Sequence, residues 1–178
     1  MRKVLVILGQ LWDEDVEWLA GAGRRVGIPA GRVLIEQGRK TESLYIILDG
    51  QVGVSLRNVG EIAVLGSGEI LGEMSLVDSR PPSATATAKT DVAVLELSKT
   101  ALAEKLDSDL GFSARFYKAL ATFLSERLRG TVQTLGYGKN STLDEDEETG
   151  GELNIAVLDN LHLAGGRFDR IIKRLMDV

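Results

Sequence analysis

Short apolar runs separated by turn residues occupy the first half of the chain. Between residues 26 and 97 we predict strands at Val33–Ile35, Leu44–Leu48, Val52–Leu56, Ile62–Leu65, Ala84–Ala88 and Val92–Leu97. Glycines and a Pro-Pro pair at positions 81 and 82 punctuate these runs. Strands at this spacing, with no helical pattern between them, indicate an antiparallel sandwich or barrel rather than βαβ units. In Ser83–Ala88 a period of two places all the alanines on one face.

Helical periodicity appears on both sides of this strand region. A short helix is predicted at Leu11–Ala22, a second at Lys99–Leu106 and a longer third at Phe112–Leu128. The third carries an apolar stripe made of Phe112, Phe116, Leu120, Phe123 and Leu124. The pattern as a whole predicts an α+β fold, in which an N-terminal helix is followed by about eight antiparallel strands and then by C-terminal helices.

Charge divides the chain. The net charge of −5 equals the charge of one acidic run, Asp144–Glu148, and the remainder is balanced. With the strand and helix patterns, this predicts a domain of strands and flanking helices at residues 11–130, an acidic linker at 131–152 and a C-terminal amphipathic appendage at 153–178. The acidic run lacks the spacing and the glycine of a calcium loop, which favours a solvated linker over a cation site.

Composition removes several classes of function. The 178 residues include no cysteine and one histidine, His162, so a disulfide framework, a thiolate zinc site and a histidine-rich metal site are excluded, and a Ser-His-Asp triad is disfavoured. A cupin-like metal enzyme would need a histidine cluster on the strands. No apolar run reaches the ~20 residues of a membrane span, and the N-terminus fails as a signal peptide. We predict a cytoplasmic, non-catalytic protein without metal or cofactor.

The sharpest motif is Leu71–Ala88, with the sequence LGEMSLVDSRPPSATATA. Gly72 would let a ligand approach the backbone, and the N–H groups of Glu73, Met74 and Ser75 would open a helix toward an anion. With Ala30-Gly31 and the run from Leu44 to Val52, this stretch resembles the cyclic-nucleotide-binding domain. That family includes the catabolite activator protein and the regulatory subunits of cyclic-AMP-dependent kinase.

The resemblance implies a jelly-roll-like antiparallel β-roll of about eight strands flanked by helices. It also implies a phosphate-binding cassette and a ligand such as cyclic AMP or cyclic GMP. The expected ligand-binding residues are Gly72, Glu73, Met74, Ser75, Arg80, Ser83, Ala84 and Thr85. Glu73 is expected to accept a hydrogen bond from a ribose hydroxyl; the alternative is that it only caps its own short helix. Ser83 and Ala84 would add donors on the opposite wall.

One position departs from the family pattern. The cassette has an arginine directly before the Ser-Ala-Thr strand, and this chain has Pro82 there. Proline supplies neither a guanidinium nor an N–H, so we expect weakened phosphate binding. Arg80 either turns toward the phosphate in its place or remains a solvated residue of a tight turn.

Two hypotheses on function remain open at this stage. The first is a sensor module in signal transduction that is regulated by a cyclic nucleotide, and the second is a ligand-independent interaction scaffold on the same fold. The Phe112–Leu128 stripe either packs on the chain's own β-roll or pairs with a second copy in a homodimer.

The C-terminal segment is the candidate contact region for a partner. The amphipathic helix predicted at Gly166–Val178 either contacts an unidentified protein or a membrane surface, or docks back on a β-roll. DNA binding is disfavoured, since the segment is too short for a winged helix-turn-helix and the β-roll domain has no basic surplus.

Overall fold

Two antiparallel sheets of four strands form the body of the protein in a computed structural model, which describes residues 8–78, 80–134 and 165–173. The strands in these residues are β1 (Arg24–Ile28), β2 (Val33–Ile35), β3 (Ser43–Asp49), β4 (Val52–Leu56), β5 (Gly60–Leu65), β6 (Ile70–Leu71), β7 (Thr85–Ala88) and β8 (Val92–Ser98). One sheet has the order β1-β8-β3-β6 and the other β2-β7-β4-β5.

Helices flank the sheets. Besides the helical residues 8–10, they are α1 (Asp13–Ala22), the single turn α2 (Met74–Val77), α3 (Lys99–Ser108), α4 (Leu110–Thr134) and α5 (165–173). The α+β class and the β-roll with helices on both sides are as predicted from the sequence. The last four residues of α4 lie where the pattern places the start of the linker.

Strand β3 shows why the central runs are continuously apolar. Its residues Leu44, Ile46 and Leu48 face the helices, while Tyr45 and Ile47 face the second sheet. A strand with apolar neighbours on both faces loses the alternation that marks a half-exposed strand. The interior therefore consists of two apolar clusters, one between the sheets and one between the first sheet and the helices.

Two strands are absent from the sequence prediction. β1 is an edge strand that pairs only with β8, and it begins with the exposed residues Arg24 and Arg25. Its apolar content is therefore low. β6 has only two residues, which is too short for a periodic pattern, yet its pairing with β3 fixes the chain just before the cassette.

The apolar stripe of α4 packs inside the chain. Phe112, Phe116, Leu120 and Phe123 are buried in the cluster between the first sheet and the helices, and Leu124 packs against that cluster. Internal packing therefore occupies the face that the sequence left open between core packing and a dimer.

Helix α5 docks on the N-terminal part of the same chain. Phe168 and Ile171 are buried in the helical cluster, which also contains Leu8. Arg167 donates from Nε to Asp13 Oδ1 at 2.6 Å and from Nη1 to the Leu8 carbonyl at 2.9 Å. The apolar face of α5 therefore contacts its own domain rather than standing free for another protein.

A buried carboxylate anchors α1 to α4. Asp15 accepts two hydrogen bonds from Arg115, at 2.7 and 2.8 Å, and a third from the backbone N–H of Trp12. Burial raises the pKa of Asp15, but these hydrogen bonds outweigh it and hold the pKa below the ordinary value of 3.8.

We expect Asp15→Asn to lower the free energy of unfolding by about 2 kcal/mol at pH 7, since charge-assisted hydrogen bonds are lost. A carboxyl whose pKa is lower in the folded state stabilises the fold at pH values above its pKa in the unfolded state. This contribution is lost as the pH falls through its pKa in the folded state. Urea unfolding of both proteins at pH 7 and near pH 3 measures this effect. Equal stabilities at pH 7 would contradict it.

Some sequence predictions fall outside the residues that the structure describes. These are the acidic run Asp144–Glu148, His162, the linker after residue 134, and residues 153–164 and 174–178 of the appendage. In residues 8–78, 80–134 and 165–173, no helix is long and apolar enough to cross a membrane. Nor do these residues hold a group of three or more His, Cys, Asp or Glu side chains that could bind a metal ion.

Candidate functional site

A cavity of about 720 Å³ opens between the second sheet, the cassette and α4. Most of the side chains around it are apolar. The sheet and its turns contribute Ile35, Val54, Leu56, Val59, Ile62, Ala63, Leu65 and Ala86; the cassette contributes residues 71–75 and 82–84; and α4 contributes Arg127 and Gly130. A volume of this size and a mainly apolar lining with few polar groups are typical of small-molecule sites.

The structure places six of the eight expected ligand-binding residues around this cavity. They are Gly72, Glu73, Met74, Ser75, Ser83 and Ala84. The two separate segments of the cassette, residues 72–75 and 82–84, therefore line the same cavity.

Arg80 and Thr85 lie outside the lining. The Arg80 side chain is 84% exposed, and its Nε is 3.8 Å from Asp78 Oδ2. Its own N–H donates to the same carboxylate, so the structure places Arg80 on a solvated turn. The Thr85 hydroxyl accepts a hydrogen bond from the Gln37 N–H at 3.1 Å, which links β7 to the loop after β2.

Gly72 has a backbone conformation that favours glycine. Its φ is +85°, and a Cβ at this position would lie 2.9 Å from the carbonyl oxygen of Ser43. A side chain would therefore strain the backbone and also force the cassette away from β3. Glycine keeps the backbone before α2 close to the sheet, at the floor of the cavity.

Glu73 is the buried charge of the site, with 2% of the residue exposed. Its carboxylate Oε1 accepts a hydrogen bond from Nη1 of Arg127, and it makes no capping hydrogen bond to α2. Burial raises the pKa of Glu73 above its ordinary value, because the charged form is desolvated, while the Arg127 guanidinium opposes that rise. Glu73 therefore joins the cassette to α4 rather than only capping its own helix.

Arg127 lines the cavity and was not predicted from the sequence as a site residue. It donates from Nη2 to the carbonyl of Ile70 at 3.0 Å, in addition to its bond with Glu73. Its guanidinium lies over the ring of Phe123, 4.7 Å from the centroid. The helical spacing could have indicated it, because residue 127 follows Phe123 at i+4 and so lies next to Phe123 on the helix surface.

Pro82 lies in the cavity lining at the position where the family has arginine. Its carbonyl accepts a hydrogen bond from the Gly38 N–H at 2.8 Å, which ties the Pro-Pro turn to the loop after β2. At this position the cavity lining therefore has an apolar residue without a charge.

A double-sheet β-roll with flanking helices and a cassette around one cavity is the architecture of a cyclic-nucleotide-binding domain. A solved cyclic nucleotide-binding domain from Methylobacillus flagellatus superimposes with a TM-score of 0.66 at 26% identity, over 75% of this chain and 80% of that chain. Residues 25–109 match the family model of the cyclic nucleotide-binding domain. Over these residues the chain is similar to that family.

Two curated relatives are longer proteins than this chain. The cAMP-dependent protein kinase regulatory subunit of Eremothecium gossypii is 35% identical over 98 residues, which is 55% of this chain and 21% of that protein. The cyclic AMP receptor protein of Thermus thermophilus is 34% identical over 91 residues, or 49% of this chain and 42% of that protein. The chain thus spans less than half the length of these two relatives.

Proposed function

We propose that this protein is a non-catalytic sensor whose cavity binds a cyclic nucleotide, either cyclic AMP or cyclic GMP, and whose helix α4 responds to it. One observation supports this most strongly: the cassette residues 72–75 and 82–84 and Arg127 of α4 surround a single open cavity. In a decayed scaffold we would expect side chains to fill this space. A cytoplasmic location and the absence of DNA binding are parts of the same proposal.

Each wall has a proposed role. The backbone N–H groups of Gly72–Ser75 and Ser83 would receive the phosphate, and Glu73 would accept a hydrogen bond from a ribose hydroxyl. The apolar side chains of β4 and β5 would cover the rest of the ligand. Pro82 offers no charge to the phosphate, so we propose an affinity lower than that of a cassette with arginine.

Binding would reach α4 through Glu73. The carboxylate already bonds Arg127, so a ligand hydroxyl that bonds the same carboxylate changes the contact between the cassette and α4. A ligand shifts such an equilibrium only by its difference in affinity for the two arrangements. The proposal therefore predicts that α4 changes position or mobility when the cavity is filled.

Isothermal titration calorimetry with cyclic AMP and cyclic GMP, up to millimolar ligand, tests the proposed sensor. We expect saturable heat with at least one of them. Thermal unfolding provides an independent measurement, because a ligand that binds only the native state raises the melting temperature with its occupancy. Titrations that show neither heat nor a thermal shift with both nucleotides would refute the sensor and favour the scaffold.

We also propose a homodimer through a second face of α4, one that the sequence analysis did not separate from the buried stripe. Exposed or partly exposed residues recur on this face in heptad spacing; they are Ala114, Tyr117, Ala121, Leu124 and Leu128. Tyr117 and Leu128 are large exposed side chains. Spacing of three and four residues is what a two-stranded helical seam requires.

Ala121→Glu is expected to convert this dimer to a monomer, because it places a charge at the centre of the seam. The matched control is Thr122→Glu, which adds the same charge one position along the helix and turned away from the seam. Sedimentation velocity at micromolar concentration measures both variants. A wild-type monomer, or a dimer that survives Ala121→Glu, would contradict this assignment.

A further inference from the structure

A half-buried lysine stands directly behind the cassette. Lys99 is the first residue of α3, and its Nζ donates to the hydroxyl of Ser75 at 2.5 Å and to the carbonyl of Thr41 at 3.0 Å. Its backbone N–H donates to the carbonyl of Glu42 at 2.9 Å. The ammonium is thus fixed between α3, the loop before β3 and the one-turn helix α2.

The acceptors of this ammonium are neutral. In the part of the chain that the structure describes, Lys99 Nζ makes no ion pair with a carboxylate; it bonds the Ser75 hydroxyl and the Thr41 carbonyl. Glu42 and Glu73 act on it only at longer range, and burial lowers its pKa against their effect. A partly buried cation without an adjacent counter-charge favours an anion nearby.

Ser75 connects this cation to the cavity. Its hydroxyl accepts from Lys99, donates to the carbonyl of Gly72 at 3.2 Å and belongs to a residue of the cavity lining. The positive charge is therefore one hydroxyl away from the cassette backbone. Lys99 itself does not line the cavity, so any effect on a ligand is exerted through Ser75 and the electrostatic field.

We propose that Lys99, acting through Ser75, supplies the positive charge that draws the anionic group of the ligand to the cassette in place of a guanidinium at position 82. This inference rests on the proposed function and adds a positioning residue to the same site. Two unit charges within several ångströms at a protein surface interact strongly enough to change affinity by about tenfold or more.

Two ligands distinguish an effect of the Lys99 charge from a structural effect of the Lys99 side chain. Cyclic AMP and adenosine share the base and a ribose, but only cyclic AMP carries the phosphate. We expect Lys99→Met to weaken cyclic AMP binding by about tenfold and to leave adenosine binding within twofold of wild type. Lys99→Arg should restore most of the cyclic AMP affinity, because it restores the charge.

The control is Lys40→Met, which removes one positive charge from an exposed site near Thr41 and should leave both affinities unchanged. Lys99→Gln keeps hydrogen-bond donors for Ser75 and Thr41 but removes the charge. It replaces Lys99→Met in the comparison with the wild type if Lys99→Met fails to fold. Calorimetry at fixed pH and ionic strength gives all the affinities.

The outcomes are distinct. Selective loss of cyclic AMP binding, with rescue by arginine, supports the inference. Equal loss of both ligands, wild-type affinity in Lys99→Gln, or failure of arginine to rescue would overturn it while leaving the sensor standing. A wild-type protein that binds no cyclic nucleotide would refute the proposed function, and the role of Lys99 with it.

Discussion

Replacing Pro82 with arginine is expected to tighten cyclic AMP binding by about ten- to a hundredfold. A hydrogen bond to a charged group contributes about 1.5–3 kcal/mol net, and each 1.4 kcal/mol changes a dissociation constant tenfold. The position lies in the cavity lining, and its backbone bond is accepted by a carbonyl, which any residue retains. The new guanidinium would therefore enter a space that is already built to face the ligand.

The matched control for this gain is Pro82→Ala, which removes the ring without adding a charge and should change the affinity of the wild-type protein by less than threefold. Calorimetry on the three proteins gives the comparison. If Pro82→Arg binds no more tightly than Pro82→Ala, the cavity does not hold the phosphate beside position 82, and this part of the account is wrong.

The second large effect concerns the pair that joins the cassette to α4. Arg127→Met leaves the carboxylate of Glu73 buried without its guanidinium, so we expect the free energy of unfolding to fall by about 3–5 kcal/mol at neutral pH. Arg129→Met removes a mostly exposed arginine two residues away and should change stability by less than about 1 kcal/mol. Urea unfolding of both variants measures the difference.

The pH dependence of that loss identifies its cause. The pKa of Glu73 is already raised by burial, and without Arg127 it should rise further. A carboxyl whose pKa is higher in the folded state contributes its whole stabilisation at pH values below its pKa in the unfolded state. This stabilisation is lost as the pH rises through its pKa in the folded state. Arg127→Met should therefore be less destabilised at pH 5 than at pH 7.5.

A double variant tests the same explanation. Adding Glu73→Gln to Arg127→Met removes the buried charge, so it should recover part of the lost stability and flatten its pH dependence. A double variant no more stable than Arg127→Met at pH 7.5 would show that the loss comes from packing against Phe123 rather than from the unpaired carboxylate.

Local apolar patterns predicted six of the eight strands in the described residues, and the β-roll followed from the family resemblance. The alternation of Ser83–Ala88 predicts one inward face, and the structure buries Ala86 and Ala88 while Ala84 reaches the cavity. β1 escaped prediction because an exposed edge strand carries little apolar signal. Its place in the sheet is decided by pairing with β8, more than sixty residues away.

The positively charged residues of the site, Arg127 and Lys99, could not be predicted from local patterns. The sequence pointed to Arg80, the arginine nearest to Pro82, but short-range spacing does not show where a side chain points. The described structure instead brings Arg127 to Glu73 across 54 positions and Lys99 to Ser75 across 24. Both contacts depend on how the helices pack on the β-roll, which is a property of the whole fold.

The most direct test of the central claim locates the ligand on the molecule. Uniformly 15N-labelled protein is titrated with cyclic AMP and cyclic GMP, and backbone amide shifts are followed by heteronuclear NMR. The account predicts shifts that saturate together at Gly72, Ser75, Ser83 and Ala84, accompanied by shifts in α4 around Arg127. Saturable shifts confined to other surfaces, or no shifts up to millimolar ligand, would contradict it.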